Sequence, residues 1–192
     1  MKPRFVRMDG AAARKARVAV EAIYRASYAE AIASGDPFEQ PGPFMERFDT
    51  YTRAPGLELV IAYNGGIPIA QTWGWPLQPT SRWWEGFVPD GPFDVTEDGA
   101  RTFALSEIMV AQHYTGRGLA HALHDELLSR RGESRSTLLV NPENVRAYRA
   151  YRRWGWRRVG TLTPAWPDAP TFDALILRLA GRASGSVVPA TG

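Results

Sequence analysis

The chain has 192 residues, 44% of them hydrophobic and 22% charged, enough for one well-filled core and short for two ordinary domains. It holds no cysteine, which excludes disulfides, thiolate metal sites and a cysteine nucleophile and fits a reducing compartment. The formal net charge is only +3, and neither a signal-peptide core nor a stretch of roughly 18 apolar residues occurs, so a cytoplasmic protein with no membrane partner is expected.

In chain order, residues 3–8 read as a short strand, followed by one helix over about 11–34 with Val18, Ala22, Ile23 and Ala26 at helical spacing. Gly35 and Asp36 end it, a Pro/Gly-rich loop follows to Pro43, and a short helix is expected over 44–52. Residues 57–63 and 67–75 form a hairpin about the turn Asn64-Gly65-Gly66. Residues 76–99 combine prolines, acidic residues and Trp83, Trp84, Phe87 and Phe93, and read as a long structured loop. A strand over 102–110, a glycine loop, a helix over 118–131, a strand over 136–140, a helix over 144–154 and strands near 156–162 and 171–179 complete the pattern. Residues 181–192 have the composition of a flexible tail.

Charge is unevenly spread: 7 basic against 3 acidic residues over 1–35, 3 against 10 over 36–98, and 13 against 7 over 99–192. A basic C-terminal half suits an anionic ligand and an acidic middle suits an amine, although an ordinary solvated surface also accounts for both.

The segment AQHYTGRGLA, residues 111–120, joins the strand over 102–110 to a helix. A helix entered from such a loop leaves its first backbone N–H groups free, and with the helix dipole these suit a phosphate. Gly116 and Gly118 remove side chains that would hold a diphosphate away, while Thr115 and Arg117 add a hydroxyl and a charge. Glycines at a helix start also serve conformation alone, so this motif by itself leaves phosphate binding open. The third glycine of a dinucleotide fingerprint is missing, and no Gly-Lys-Ser or Gly-Lys-Thr follows to make a P-loop.

The loop resembles the signature Gln/Arg-x-x-Gly-x-Gly/Ala of the GNAT superfamily of acyl-CoA-dependent N-acyltransferases, with His113 at the Gln/Arg position as a departure. A second block, Asn144-Val145-Arg146-Ala147-Tyr148-Arg149-Ala150-Tyr151 followed by Trp154-Gly155-Trp156, is similar to the family's Asn-x-x-Ala-x-x-x-Tyr with its following glycine and aromatic. The resemblance covers roughly residues 1–180, taken as one domain. It implies an α/β fold with a mixed, mostly antiparallel sheet of six to seven strands flanked by helices, and coenzyme A held where two central strands splay. It implies acetyl-CoA as co-substrate and acetyl transfer to a primary amine of a small-molecule acceptor, by direct attack in a ternary complex. A catalytically silent acyl-CoA-binding module is the alternative.

Carried over residue by residue, the resemblance implies contacts to acetyl-CoA from Met109, Val110, His113, Tyr114, Thr115, Gly116, Arg117, Gly118, Leu119, Ala120, Asn144 and Ala147. The backbone N–H of Met109 or Val110 would stabilise the oxyanion. Tyr151 would be the general acid toward the sulfur, with Tyr148 its nearest rival and packing the alternative role. Glu107, the lone carboxylate of its strand, would be the base or an outward-facing residue. Trp73, Trp75, Trp83, Trp84, Phe38, Phe44 and Phe93 could line an acceptor pocket, with Asp36, Glu39, Glu85 or Asp94 drawing in an ammonium, or could pack the long loop onto the domain. His121 and His124 are expected at the surface with no metal, since no third ligand is evident. The arginine run 146–158 is expected to be a solvated face beside the nucleotide end of coenzyme A and not a nucleic-acid site, which the acidic middle segment opposes. A monomer or homodimer is expected.

Overall fold

A computed structural model describes residues 3–35, 39–165 and 169–180. Asp36 and Phe38, and the tail expected over 181–192, lie outside the described residues. The chain opens with β1 (Arg4–Asp9) and the helices α1 (Gly10–Lys15), α2 (Arg17–Ser27), α3 (Ala29–Ala33) and α4 (Pro41–Tyr51). Then come β2 (Glu58–Asn64), β3 (Ile67–Pro76), β4 (Phe87–Pro89), β5 (Thr102–Val110), α5 (Leu119–Leu128), β6 (Arg135–Val140), α6 (Val145–Arg153), β7 (Arg157–Leu162) and β8 (Phe172–Arg178).

The single long helix expected over 11–34 is three helices, broken at Ala16 and Tyr28. Asp9 caps the first by accepting the Ala12 N–H at 2.8 Å. The break at Tyr28, where φ is −113° and ψ 25°, accompanies stacking of its ring on Tyr24 at 5.0 Å.

Among the described residues, eight strands form one sheet in the order β1-β2-β3-β5-β6-β8-β7-β4. All pairings are antiparallel except β5 with β6. Both faces are covered, which is why β2 reads as an unbroken apolar run. On one face Val60, Ala62, Phe103, Leu105 and Leu138 pack against Leu119, Leu123 and Leu127, which recur every fourth residue of α5. On the other face Leu59, Ile61, Trp73 and Met109 meet Ile23 of α2 and Phe44, Met45 and Phe48 of α4. Each fully buried leucine or phenylalanine here contributes about 1.5–3 kcal/mol.

Two irregularities give the sheet its functional shape. The parallel β5–β6 ladder runs only from Thr102 opposite Arg135 to Ala104 opposite Thr137. Beyond it β5 stays paired to β3 as far as Val110, and β6 to β8 as far as Val140, so a gap opens between the two central strands. The second irregularity is a bulge. Trp73 faces Glu107 while the next residue, Gly74, faces Leu105, which leaves Ser106 unpaired. The extra residue reverses the alternation of β5: Phe103 and Leu105 pack toward α5, and beyond the bulge Ile108 and Val110 do so, while Glu107 and Met109 turn to the α2/α4 face.

The long loop between β3 and β5 is built as a closed unit that supplies the eighth strand. The Leu77 N–H donates to the Thr102 carbonyl at 2.8 Å and the Gly99 N–H to the Leu77 carbonyl at 3.0 Å, closing its base. Trp84, Phe87 and Phe93 pack edge to face with centroids 5.0–5.4 Å apart, and the Arg135 guanidinium lies 4.7 Å from the Phe93 centroid. Its far end, β4, pairs with Gly160–Leu162 of β7, and a Cβ at Gly160 would sit 2.3 Å from the Val88 carbonyl oxygen.

Gly74 is as tightly enclosed beside the bulge: a Cβ there would lie 2.1 Å from the Ala104 carbonyl oxygen and 2.6 Å from a Phe103 ring carbon. Gly74→Ala is therefore expected to destabilise the protein by about 1–3 kcal/mol in urea denaturation. An unchanged midpoint would show that the bulge has room to spare.

Candidate active site

Beyond β5, the chain makes one 3-10 turn, Gln112–Tyr114, and enters α5 through Gly116 and Gly118, both with φ of 76°. A residue with a Cβ rarely adopts that conformation, and a Cβ built at either position meets nothing within 4 Å. The loop therefore presents bare backbone and open space in front of a ten-residue helix whose N-cap, Gly118, makes no side-chain hydrogen bond. The turn holds itself together: the Tyr114 N–H donates to the Ala111 carbonyl at 2.8 Å and Thr115 Oγ1 to the Gln112 carbonyl at 2.9 Å. Arg117 stays exposed, its guanidinium 5.5 Å from the Tyr114 ring centroid. His113 and Thr115 are exposed, Ala120 is half-buried, and Leu119 is a core residue. This shape suits a phosphate-bearing ligand.

The gap between β5 and β6 has an oriented wall. The Ala111 N–H donates to the Ile69 carbonyl at 2.9 Å, so the neighbouring opposed pair Val110 and Ala70 is one whose backbone groups point away from each other. Val110 thus turns its N–H and carbonyl toward the gap, and by alternation Met109 directs its own toward β3.

On the far side of the gap, Asn144 caps α6 by accepting the Ala147 N–H at 3.1 Å, and Ala147 packs on the core. The helix carries Tyr148 and Tyr151 into different surroundings. Burial first, and then the nearby Asp173 carboxylate, push the pKa of the Tyr148 phenol up. The Tyr151 ring packs edge-on against Trp154 and Trp156, at 5.5 and 6.1 Å. Burial, and next the Glu107 carboxylate, hold the Tyr151 phenol well above the ordinary tyrosine range.

Glu107 is only partly exposed, and burial is the main cause that raises its carboxyl to about 7, with Arg47 opposing and Glu39 adding to the shift. The same carboxylate raises the phenols of Tyr28, Tyr51 and Tyr151, after burial in each case. Tyr24 feels the same carboxylate as a lesser cause, so four phenols lie within its electrostatic reach. Tyr24 stacks on Phe44 with centroids 3.8 Å apart and donates its O–H to the Glu39 carbonyl and carboxylate at 3.0 and 3.3 Å, and its own pKa is pushed up to about 12 by burial first.

The tryptophans separate into distinct roles. Trp75 stacks on Tyr51 at 4.7 Å, and Trp83 meets Trp75 edge-on at 6.3 Å. Trp73 is fully buried between Phe44 and Phe48, forming the floor beneath this cluster. Trp84 is engaged inside the loop, donating its indole N–H to Glu97 at 2.9 Å, and Glu85 is exposed and paired with Arg82 at 2.5 Å. Phe93 and Asp94 also belong to the loop's own packing, Asp94 bonding Arg101 at 2.6 Å.

Nothing in the sequence distinguished Tyr28, Tyr51 and Arg47 as candidate site residues, since their relation to Glu107 arises only in the fold. The expectation of two surface histidines is corrected for His124, which is 5% exposed. Its Nε2 accepts the Trp156 indole N–H at 3.0 Å, which places the ring proton on Nδ1, 2.8 Å from Asp125. Position 124 lies four residues from both Ala120 and Leu128, on the apolar stripe of α5. His121, His124 and Asp125 do bring three ligand atoms within 4.8 Å. A metal at His124 Nδ1 would have to displace that proton and break the Trp156 bond, so the cluster fits packing better than metal binding.

Comparison with known proteins agrees with this geometry. A model of the acetyltransferase (GNAT) family matches residues 20–156. No curated protein matches the chain by sequence. Among solved structures, an acetyltransferase from Thermus thermophilus is 13% identical with a TM-score of 0.64, covering 93% of this chain and 98% of its own. The ribosomal-protein-S18-alanine N-acetyltransferase of Escherichia coli is 14% identical with a TM-score of 0.63, covering 97% and 99%. A Salmonella typhimurium structure described as an acetyltransferase with its cofactor acetyl-CoA is 12% identical with a TM-score of 0.56, again covering 97% and 99%. No helix among the described residues is long and apolar enough to cross a membrane.

The raised Glu107 carboxyl makes a stability prediction. In the unfolded chain it ionises near 4.5 and in the fold near 7, so its contribution is full below about pH 4.5 and is lost as pH rises through 7. Thermal melts of Glu107→Gln are expected to match the wild type at pH 4.5 and to exceed it at pH 8, by roughly 1–3 kcal/mol. Equal melts at both values would show that the carboxyl is well solvated.

Proposed function

Because the chain belongs to the acetyltransferase (GNAT) family, we propose that it transfers an acetyl group from acetyl-CoA to the primary amine of a small-molecule acceptor, by direct attack in a ternary complex. The observation that carries this reading is the gap between β5 and β6 that opens beside the bare backbone of Gly116 and Gly118, with Glu107 turned by the Ser106 bulge to the α2/α4 face.

The residues around that gap fit acetyl-CoA. The bare backbone of residues 116–118 and the start of α5 would hold its pyrophosphate, with Thr115 and Arg117 alongside. His113, Tyr114, Leu119 and Ala120 would border it, and Asn144 and Ala147 would shape the α6 side. The unpaired edges of β5 and β6 would flank its pantetheine arm. Acetyl-CoA supplies the acetyl group as a thioester.

The amine enters from the side of Tyr28, Tyr51 and Trp75, where aromatic faces and a carboxylate suit an ammonium with an apolar body. Glu107 accepts the ammonium proton, directly or through one water, leaving the nitrogen lone pair free to form the new N–C bond. A carboxyl near 7 is well matched to that task at neutral pH. The Val110 N–H donates to the carbonyl oxygen as negative charge gathers there, and Met109 supports the strand from the other face. Tyr151 gives its phenolic proton to the sulfur as the C–S bond breaks, its raised pKa keeping that proton in place until then, and the second nitrogen proton, shed as the tetrahedral adduct collapses to the amide, restores the phenol through solvent.

Tyr151→Phe is expected to lower kcat about 100-fold while the acetyl-CoA dissociation constant stays within about threefold, measured by coenzyme A release and by calorimetry. Retained acetyl-CoA binding with no transfer to any amine of a broad panel would instead identify a silent acyl-CoA-binding module. In the wild type, kcat/KM should rise with pH through the Glu107 titration near 7 and then level. Glu107→Gln should abolish that limb, and a profile identical to the wild type would remove Glu107 as the base.

A further inference from the structure

Two indoles at the acceptor cluster, those of Trp73 and Trp83, are buried at their polar ends with no hydrogen-bond partner among the described residues. Trp83 lies in the long loop between β3 and β5, its ring half-buried and edge-on to Trp75 at 6.3 Å. Its Nε1 is out of contact with solvent and has no hydrogen-bond partner among the described residues. The adjacent Trp84, in the same loop, has its indole N–H satisfied by Glu97 at 2.9 Å, and Trp156 has its own satisfied by His124. A buried N–H left without an acceptor costs about 1–3 kcal/mol, a cost that an oxygen brought by a ligand would relieve wherever the ring lies at the surface.

The position of Trp83 says where that acceptor would be. The ladder Trp83, Trp75, Tyr51 runs edge to face and then face to face, and Tyr51 is within the field of Glu107. Trp73, directly opposite Glu107 in the β3–β5 register, also has a buried indole N–H without a partner among the described residues, but it is closed off in the core. Trp83 is the donor of the pair whose ring reaches the surface. A molecule with its amine at Glu107 and an aromatic or aliphatic body along Tyr51 and Trp75 would carry its next polar group toward Trp83. An indole N–H can only donate, so that group must accept. A carboxylate would be opposed by Glu107 and Glu39 on the same face, which favours an uncharged oxygen.

We propose that Trp83 is a specificity-determining residue: its indole N–H donates to an uncharged oxygen of the acceptor, so the site prefers amines that carry a carboxamide or hydroxyl to bare alkylamines. This rests on the amine-transfer reading above and assigns the long loop the outer wall of the acceptor site.

The test uses the full chain saturated with coenzyme A and four amines with one common body: 2-phenylethylamine, phenylalaninol, phenylalaninamide and phenylalanine. By calorimetry, the alcohol and the amide are expected to bind about fivefold to tenfold more tightly than 2-phenylethylamine, and phenylalanine no more tightly. Trp83→Phe, which keeps the ring and removes the donor, should bring the ratio to within twofold. In nitrogen-15 spectra of the wild type, one indole N–H signal should move downfield with phenylalaninamide and none with 2-phenylethylamine, a reading that stands if the variant does not fold. Equal wild-type affinities, a preference that survives in Trp83→Phe, or indole signals that respond alike to both ligands would overturn the proposal. Acetylation of these amines without the ratio would overturn it and leave the transfer reading intact. The ratio without any acetylation would do the reverse.

Discussion

Three register pairs, Thr102 with Arg135, Phe103 with Ser136 and Ala104 with Thr137, join the two halves of the sheet, and everything distinctive about the molecule follows from their stopping there. A parallel ladder that ended for want of sequence would leave unpaired N–H and carbonyl groups in the interior, at a cost the fold could not spread elsewhere. Here the groups on β5 are instead aligned along an opening bordered by a glycine loop at one end and an aromatic, acidic cluster on one face. The gap is held open from both sides, because β3 and β8 stay paired to the central strands after these leave each other.

The Ser106 bulge gives that opening its chemistry. With regular alternation beyond Leu105, Glu107 would share a face with Phe103 and Leu105 and be driven into the apolar layer beneath α5. One unpaired residue moves it to the other face, where Arg47 partly offsets the effect of its burial and its own charge reaches the Tyr28 phenol. The cost of keeping a carboxyl there appears as its raised pKa, and the property that makes Glu107 suited to accept a proton also makes the fold less stable at higher pH.

Much of this was legible in the sequence, and the limits have physical causes. The strand over 102–110 agrees with β5 end for end because its apolar run is bounded by turn residues, and the hairpin about Asn64 was marked by its glycines. The pair Gly116 and Gly118 marked a loop without side chains at the start of a helix, and both adopt positive φ. The bulge was invisible, since a shift of pairing belongs to two strands at once and leaves no trace in either. The breaks at Ala16 and Tyr28 were hidden because both residues fit a helix, and tertiary packing overrode the local preference. The burial of His124 is signalled in the sequence only by its spacing from Ala120 and Leu128, against its polarity. The long loop showed its composition but not its partner: that it crosses to β7 is decided by Gly160, whose lack of a side chain is informative only once Val88 is seen against it.

That crossing also determines how the molecule meets its own kind. An open sheet has two exposed margins, and either can recruit a strand from a neighbouring chain. On the β7 side the position is already taken by β4, a strand of three residues that ends in Pro89, and a proline has no N–H to offer an incoming ladder. The border is sealed from within, and fibre-like growth by strand addition is blocked there before a second copy arrives.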